Sequence, residues 1–327
     1  MQYKSNKGYT GFGQIGMIFL FVGLGLILTT ILQFIIGMNI APPGTSLDKM
    51  GEAMLEAMKN PNNLDQMRVM QVLSTCFMFF IPALLFSWIC NGKNLFWLGF
   101  NKHFSFYQIL LGFLIIFTAN LMAGPLQDLS EKIAVHFSAL NEMAKKLEVA
   151  YNDQIVVLSH LNGFADFLLA LAIMAFFPAL FEELFFRGAL QTLLVKWWKK
   201  PYLAILVTSV IFSLIHMSIY LFLSRLILGF VLGLIFHETK NIWVNSIAHF
   251  LNNALAVAQM YVLSIRNEKI DISKLDTKVD WWFGVIALFV LIYLFKFLKR
   301  YTEKNRMKII GEEQALMVSE NTASPFQ

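Results

Sequence analysis

The run FFPALFEELFFRGAL, Phe176–Leu190, sets Glu182, Glu183 and Arg187 inside an otherwise aliphatic and aromatic segment. Whether that run lies in water or in lipid decides the fold. Composition settles the medium. Of the 327 residues 57% are hydrophobic and only 14% charged, and 32 are Phe. A soluble globular domain carries about 25% charged residues. A chain with so little polar surface is expected in a bilayer, where apolar runs of about 20 residues cross as helices that satisfy their own backbone. The predicted fold class is all-α, a polytopic transmembrane helical bundle. The net charge of +5 is small and bears on topology; no nucleic-acid partner is expected from it. Cys76 and Cys90 share one apolar run, where a helix would hold them about 21 Å apart. They cannot bridge within it.

Eight segments approach the roughly 20 apolar residues of a spanning helix: about 14–38, 70–90, 106–125, 164–186, 202–220, 222–236, 242–264 and 281–298. The sixth is short. Lys4 and Lys7 precede the first, whose long apolar core predicts an uncleaved anchor rather than a signal peptide. Basic residues crowd the segment after the eighth span and the even-numbered connections (Lys93, Lys102, Lys196, Lys199, Lys200, Lys240). Odd-numbered connections are diluted by acids. The positive-inside rule then puts both termini in the cytoplasm. Residues 1–300 are expected as a single transmembrane domain, with 301–327 a polar, loosely ordered cytoplasmic tail. LDKMGEAMLEAMKN and SEKIAVHFSALNEMAKKLEVA are expected as amphipathic helices on the outer face.

Ionisable groups inside spans mark candidate functional sites, and three clusters qualify. In the first, Glu183 and Arg187 form an i, i+4 pair in the favourable order. Glu182 points about 100° away with no partner on its own helix. Pro178 deprives the Met174 carbonyl of its helical donor and predicts a bend there. The second cluster is FSLIH, where Phe212 sits one turn from His216. The third is NSIAHFLNN, where Asn245, His249 and Asn253 form one stripe at spacing four. Taken singly, each has a bland explanation: a buried ion pair fixing register, a packed histidine, interhelical hydrogen bonds. Counting about 1.5 Å per residue from the flanking lysines and Pro201, all three can meet at one level, in the cytoplasmic half or middle of a core about 30 Å thick. Their coincidence favours function.

An unpaired glutamate, two histidines and an asparagine, with no serine or cysteine nucleophile among them, suit activation of a water molecule. His249 and Asn253 can donate to an oxyanion. Glu and His also ligate zinc, so a metal-assisted variant stays open, with Glu182, His216 and His249 as candidate ligands. The helical HExxH signature is absent.

EELFFR (Glu182–Arg187), FSLIH (Phe212–His216) and HFLNN (His249–Asn253) resemble, in order and spacing, the motifs EExxxR, FxxxH and HxxxN of the CPBP intramembrane proteases. This is the CAAX-protease and bacteriocin-processing group, also called Abi. The resemblance covers about residues 160–265. It implies an intramembrane endopeptidase with a cytoplasm-facing active site. Glu182 would be the catalytic glutamate, His216 a partner in activating water, and His249 with Asn253 the oxyanion donors. Glu183, Arg187 and Phe212 would be supporting motif residues, and the group's usual name says metalloprotease, so zinc is the implied cofactor to test. The implied partner is a membrane-embedded or lipid-anchored protein or peptide substrate. The implied location is the cell membrane of a bacterium. A non-proteolytic immunity or scaffold protein is the alternative. A transporter ranks lower, since the chain shows no inverted repeat and no matched pair of broken helices.

Overall fold

The computed structural model describes residues 3–322 apart from 47, 159, 160, 162 and 267–279. Among the described residues it contains ten helices and no strand beyond one isolated bridge between Lys4 and Thr10. In chain order they are α1 (Gly11–Ile40), α2 (Met50–Met58), α3 (Pro61–Cys90), α4 (Phe106–Val135), α5 (Ser138–Leu158), α6 (Phe164–Trp198), α7 (Pro201–Ile215), α8 (Phe222–Thr239), α9 (Ile242–Ile265) and α10 (Trp281–Thr322). Each of the eight expected spans overlaps a helix, although the fifth, 202–220, runs past the end of α7 at Ile215. Six of these, α1, α3, α4, α6, α8 and α10, are long and apolar enough to cross a membrane. The other two differ for separate reasons. α7 has 15 residues, about 23 Å of helix, which is short of a 30 Å hydrocarbon core. α9 has 24 residues but carries the asparagine and histidine stripe.

Two packed layers meet at α6. On one side Ile18 of α1, Phe79 and Phe86 of α3, Phe185 and Phe186 of α6 and Phe212 of α7 share a core. On the other, α4, α8, α9 and α10 interlock through Ile115, Ala119, Leu232, Val244, Ala248 and Leu291. α6 itself is irregular. Widened π-helical turns run over Leu171–Phe176 and Leu184–Gln191, flanking the regular turns of Phe177–Glu183. The first ends two residues before Pro178, where the ring removes a backbone donor, so the bend expected there is taken up as a π-bulge. The same arrangement recurs in α3, with Cys76–Phe80 widened just before Pro82.

The second widened turn packs tightly. A Cβ built on Gly188 would lie 2.7 Å from the carbonyl oxygen of Leu98, in the short turn Leu95–Leu98 that seals the end of α6. Backbone cannot yield there as a flexible side chain would. Gly188→Ala is therefore expected to destabilise the protein by about 1–3 kcal/mol, read as a lower unfolding temperature in detergent.

The tail departs from expectation. α10 continues to Thr322 instead of fraying after Glu303. Ile309 packs with Phe96 and Trp97, and Thr302 and Asn305 both bond Gln108. Arg306 reaches Glu238 at 3.1 Å and Glu312 reaches His103 at 3.1 Å. The polar composition of this stretch concealed one apolar, docking face. Glu313 lies between Lys196 (2.8 Å) and Lys240 (3.8 Å), so the ends of α6 and α8 and the distal part of α10 gather into one basic end of the bundle.

At the opposite end lie α2, which carries the first expected amphipathic helix, and α5; the second expected helix is split, with Ser130–Val135 ending α4 and a break at His136 and Phe137 before α5 begins at Ser138. Leu158 of α5 packs with Leu64, Met67 and Met70 of α3. Asn141 and Glu148 accept hydrogen bonds from Tyr220 and Ser218 in the α7–α8 connection, which fixes α5 across that turn.

Candidate active site

Three elements converge on a cavity of about 330 Å³. α6 brings Glu182, the end of α7 brings Phe212 and His216, and α9 brings His249 and Asn253; all five line it. The helical phase of each motif explains the convergence. On α9 the spacing-four stripe turns Asn245 and His249 inward, where both are buried. On α6 the roughly 100° step between neighbours sends Glu182 to the cavity and Glu183 away from it.

Glu183 is the hub beneath the cavity. It is fully buried, and its Oε1 lies 3.0 Å from Arg187 Nη1 and 3.0 Å from His249 Nδ1. Its Oε2 accepts a 2.9 Å hydrogen bond from Asn245 Nδ2. The expected pairing with Arg187 is present, but Glu183 also ties two residues of the third motif to the first. Arg187 has a second anchor, donating through Nη2 to the Gly229 carbonyl at 3.1 Å, and its guanidinium lies over the Phe212 ring at 4.9 Å. The ion pair with Glu183 and the stacking on Phe212 offset part of the cost of burying this guanidinium, whose Nε and Nη1 have no hydrogen-bond acceptor among the described residues. Phe212 is thus a spacer: its ring centroid lies 4.5 Å from that of His216 and 6.5 Å from that of His249.

Both imidazoles have a defined tautomer. His249 Nδ1 faces a carboxylate, and His216 Nδ1 faces the Phe212 carbonyl at 2.7 Å. An acceptor on that side requires the proton on Nδ1, which leaves the lone pair of a neutral ring on Nε2. Glu182 differs from Glu183 in every respect. It is 8% exposed, lines the cavity, and among the described residues receives no hydrogen bond or ion pair.

Asn253 lines the wall, while the amide of Asn252 is engaged by Asn120 of α4. Two polar residues on the wall escaped the motif search, Gln71 of α3 and Arg225 of α8. Arg225 donates to the His216 carbonyl at 3.2 Å and so pins the α7–α8 connection. An arginine at the start of an apolar span is itself a signal, hidden here because Arg225 sits near the blurred boundary between the fifth and sixth spans.

The expected zinc donors Glu182, His216 and His249 all line this cavity. Among the described residues no three His, Cys, Asp or Glu side chains are gathered as a metal would require. Each histidine keeps the lone pair of Nε2 available, with Nδ1 held by a carboxylate or a backbone carbonyl.

A helical bundle with an unpaired carboxylate and two oriented imidazoles on one cavity defines the class, an integral membrane protein with a polar cavity among its helices. The core of the chain matches a known family model. Residues 164–255 match the model of the Rce1-like family, described as type II CAAX prenyl endopeptidase Rce1-like. The matched range begins at α6 and ends within α9, so it takes in all three motifs, and this region is similar to that endopeptidase family. The chain is also similar to an uncharacterized protein of Bacillus subtilis (strain 168), YpbD, at 32% identity over 94 residues. That alignment covers 28% of this chain and 45% of YpbD, so the chain spans less than half of that relative's length. No solved structure matches.

Proposed function

We propose that the protein is an intramembrane endopeptidase that hydrolyses a peptide bond of a membrane-associated protein or peptide by water attack. The observation that carries the proposal is the contrast between the two adjacent glutamates, one fully paired and one kept unpaired on the cavity wall. Glu182 is the general base that takes the proton of the attacking water. His216, with its lone pair on Nε2, shares in orienting that water. The developing oxyanion is met by Asn253 and by His249, which donates once its Nε2 is protonated. Glu183 holds His249 in the required tautomer, as the carboxylate does in a catalytic triad. The proton taken by Glu182 is returned to the leaving amine, which completes hydrolysis.

Quantitative proteomics of membrane fractions tests this. Wild type is compared with a Glu182→Gln strain at equal expression. Precursor forms of one or a few membrane proteins should accumulate in the variant, and purified wild-type protein should cleave them. Identical proteomes and an unchanged cellular phenotype would favour the immunity or scaffold role instead. Metal dependence has its own measurement. With no three donors gathered at the site, cleavage is expected to persist after treatment with 1,10-phenanthroline. Loss of cleavage restored by added zinc would bring zinc, and the family's metalloprotease label, back into the mechanism.

A further inference from the structure

The basic end of the bundle holds a second pocket, of about 130 Å³, which shares no lining residue with the cavity that carries Glu182 and the histidines. Four parts of the chain build it: the turn Leu95–Leu98, the end of α6, the end of α8 and the distal part of α10. Its charges come from three of these. Lys196 of α6 and Lys240, which follows α8, converge on Glu313 of α10 at 2.8 and 3.8 Å. The Lys196 ammonium also lies 5.3 Å from the centre of the Trp97 ring. The pocket wall thus carries two cations and one anion, and the anion belongs to the chain itself.

Gln191 supplies the observation that points to a ligand. It lines the pocket and is only 2% exposed. Its Nε2 donates to the Gly233 carbonyl at 2.9 Å, which fixes the orientation of the amide. Its Oε1 accepts no hydrogen bond among the described residues. A buried acceptor without a donor is costly to keep, and on a pocket wall it fits a ligand that brings the donor. The wall is also rigid. One turn before Gln191, Arg187 donates to the Gly229 carbonyl, so two successive turns of α6 are strapped to two successive turns of α8.

Depth and size narrow the ligand. Trp197 and Trp198 close α6 and Trp243 opens α9 at this same end, the aromatic girdle expected at headgroup depth. A pocket of about 130 Å³ is well below the roughly 300–1,000 Å³ of sites for drug-sized ligands. It takes a headgroup and not a nucleotide. Basic groups at this depth attract anionic lipid.

We infer that this pocket binds a phosphate ester that also carries a hydroxyl donor, the chemistry of a glycerol-bearing phospholipid headgroup. The phosphate sits between Lys196 and Lys240 in place of the Glu313 carboxylate, and the hydroxyl donates to Gln191 Oε1. Glu313 is then an internal competitor, which neutralises the lysines until a phosphate displaces it. The inference stands apart from hydrolysis, since no step of the proposed cleavage uses these residues.

Ligand-induced stabilisation of the purified full chain in detergent tests the site without any substrate. The probes are two short-chain lipids of equal charge, dihexanoyl phosphatidylglycerol with hydroxyl donors and dihexanoyl phosphatidylmethanol without them, together with glycerol phosphate and inorganic phosphate. Phosphatidylglycerol should raise the unfolding temperature saturably and bind more tightly than phosphatidylmethanol. Lys196→Gln and Lys240→Gln should each weaken it about fivefold, the equivalent of about 1 kcal/mol per lysine. Glu313→Gln should tighten it by a similar factor. Glu303→Gln removes the same charge from an exposed position on the same helix and should leave affinity unchanged. Because Glu313→Gln is read as a gain, a folding defect cannot imitate it. Glycerol phosphate binding as tightly as the lipid would place the source in solution, and much weaker binding would place it in the bilayer; either supports a phosphate site. No saturable shift with any probe would overturn the inference. So would equal gains in Glu313→Gln and Glu303→Gln, which would mean diffuse surface charge, or equal affinity for the two lipids, which would take Gln191 out of the site.

Discussion

Glu182→Gln is expected to abolish cleavage while leaving the fold untouched. Glutamine matches glutamate in shape, and no described residue bonds the Glu182 carboxylate, so the replacement strands no buried partner. What it removes is the basic oxygen that takes the proton from water. General-base catalysis contributes about 10²–10⁴-fold, and turnover on an identified substrate should fall by that order. The unfolding temperature in detergent should stay at the wild-type value, because the ion pair below the cavity is unchanged. A variant that still cleaved at the wild-type rate would remove Glu182 from the chemistry. A variant that lost activity together with its fold would show that Glu182 has a structural partner. His249→Ala should lose activity as well but also leave one oxygen of Glu183 short of a donor, so it separates the two effects less cleanly.

Much of this was legible in the chain because helices are local. Apolar runs of about 20 residues and the i, i+4 spacing set the helices, put Glu183 against Arg187, and aligned Asn245, His249 and Asn253. The three motifs found by spacing do meet on one cavity. Long-range partnerships were not legible. Glu183 receives His249 and Asn245 from a helix more than sixty positions away, and no periodicity on α6 announces that. The shortness of α7 was masked because its apolar composition runs on past Ile215 into the turn. The polar stretch after Glu303 looked solvated because composition averages over faces, and the few apolar residues that dock α10 are outnumbered.

Glu183→Gln is expected to fail differently from Glu182→Gln, and the difference separates the two glutamates. Glu183 and Arg187 are 0% and 1% exposed, with their charged atoms 3.0 Å apart. Removing the carboxylate charge leaves a guanidinium buried among phenylalanines with only the Gly229 carbonyl as a polar partner. Breaking a buried pair from one side costs about 3–5 kcal/mol, enough to lower the unfolding temperature sharply and to reduce the amount of folded protein recovered. Replacing both partners, Glu183→Gln with Arg187→Met, removes the stranded charge and should regain most of that stability. It should not regain activity. His249 then faces an amide instead of a carboxylate; the amide can present either its oxygen or its NH₂ to Nδ1 and no longer stabilises the protonated ring. The double variant should therefore fold like wild type, bind substrate, and turn it over far more slowly, with the loss in kcat and little change in KM. If the double variant recovered both stability and turnover, Glu183 would be a structural counter-ion alone, and the link from Glu183 to His249 would carry no chemistry.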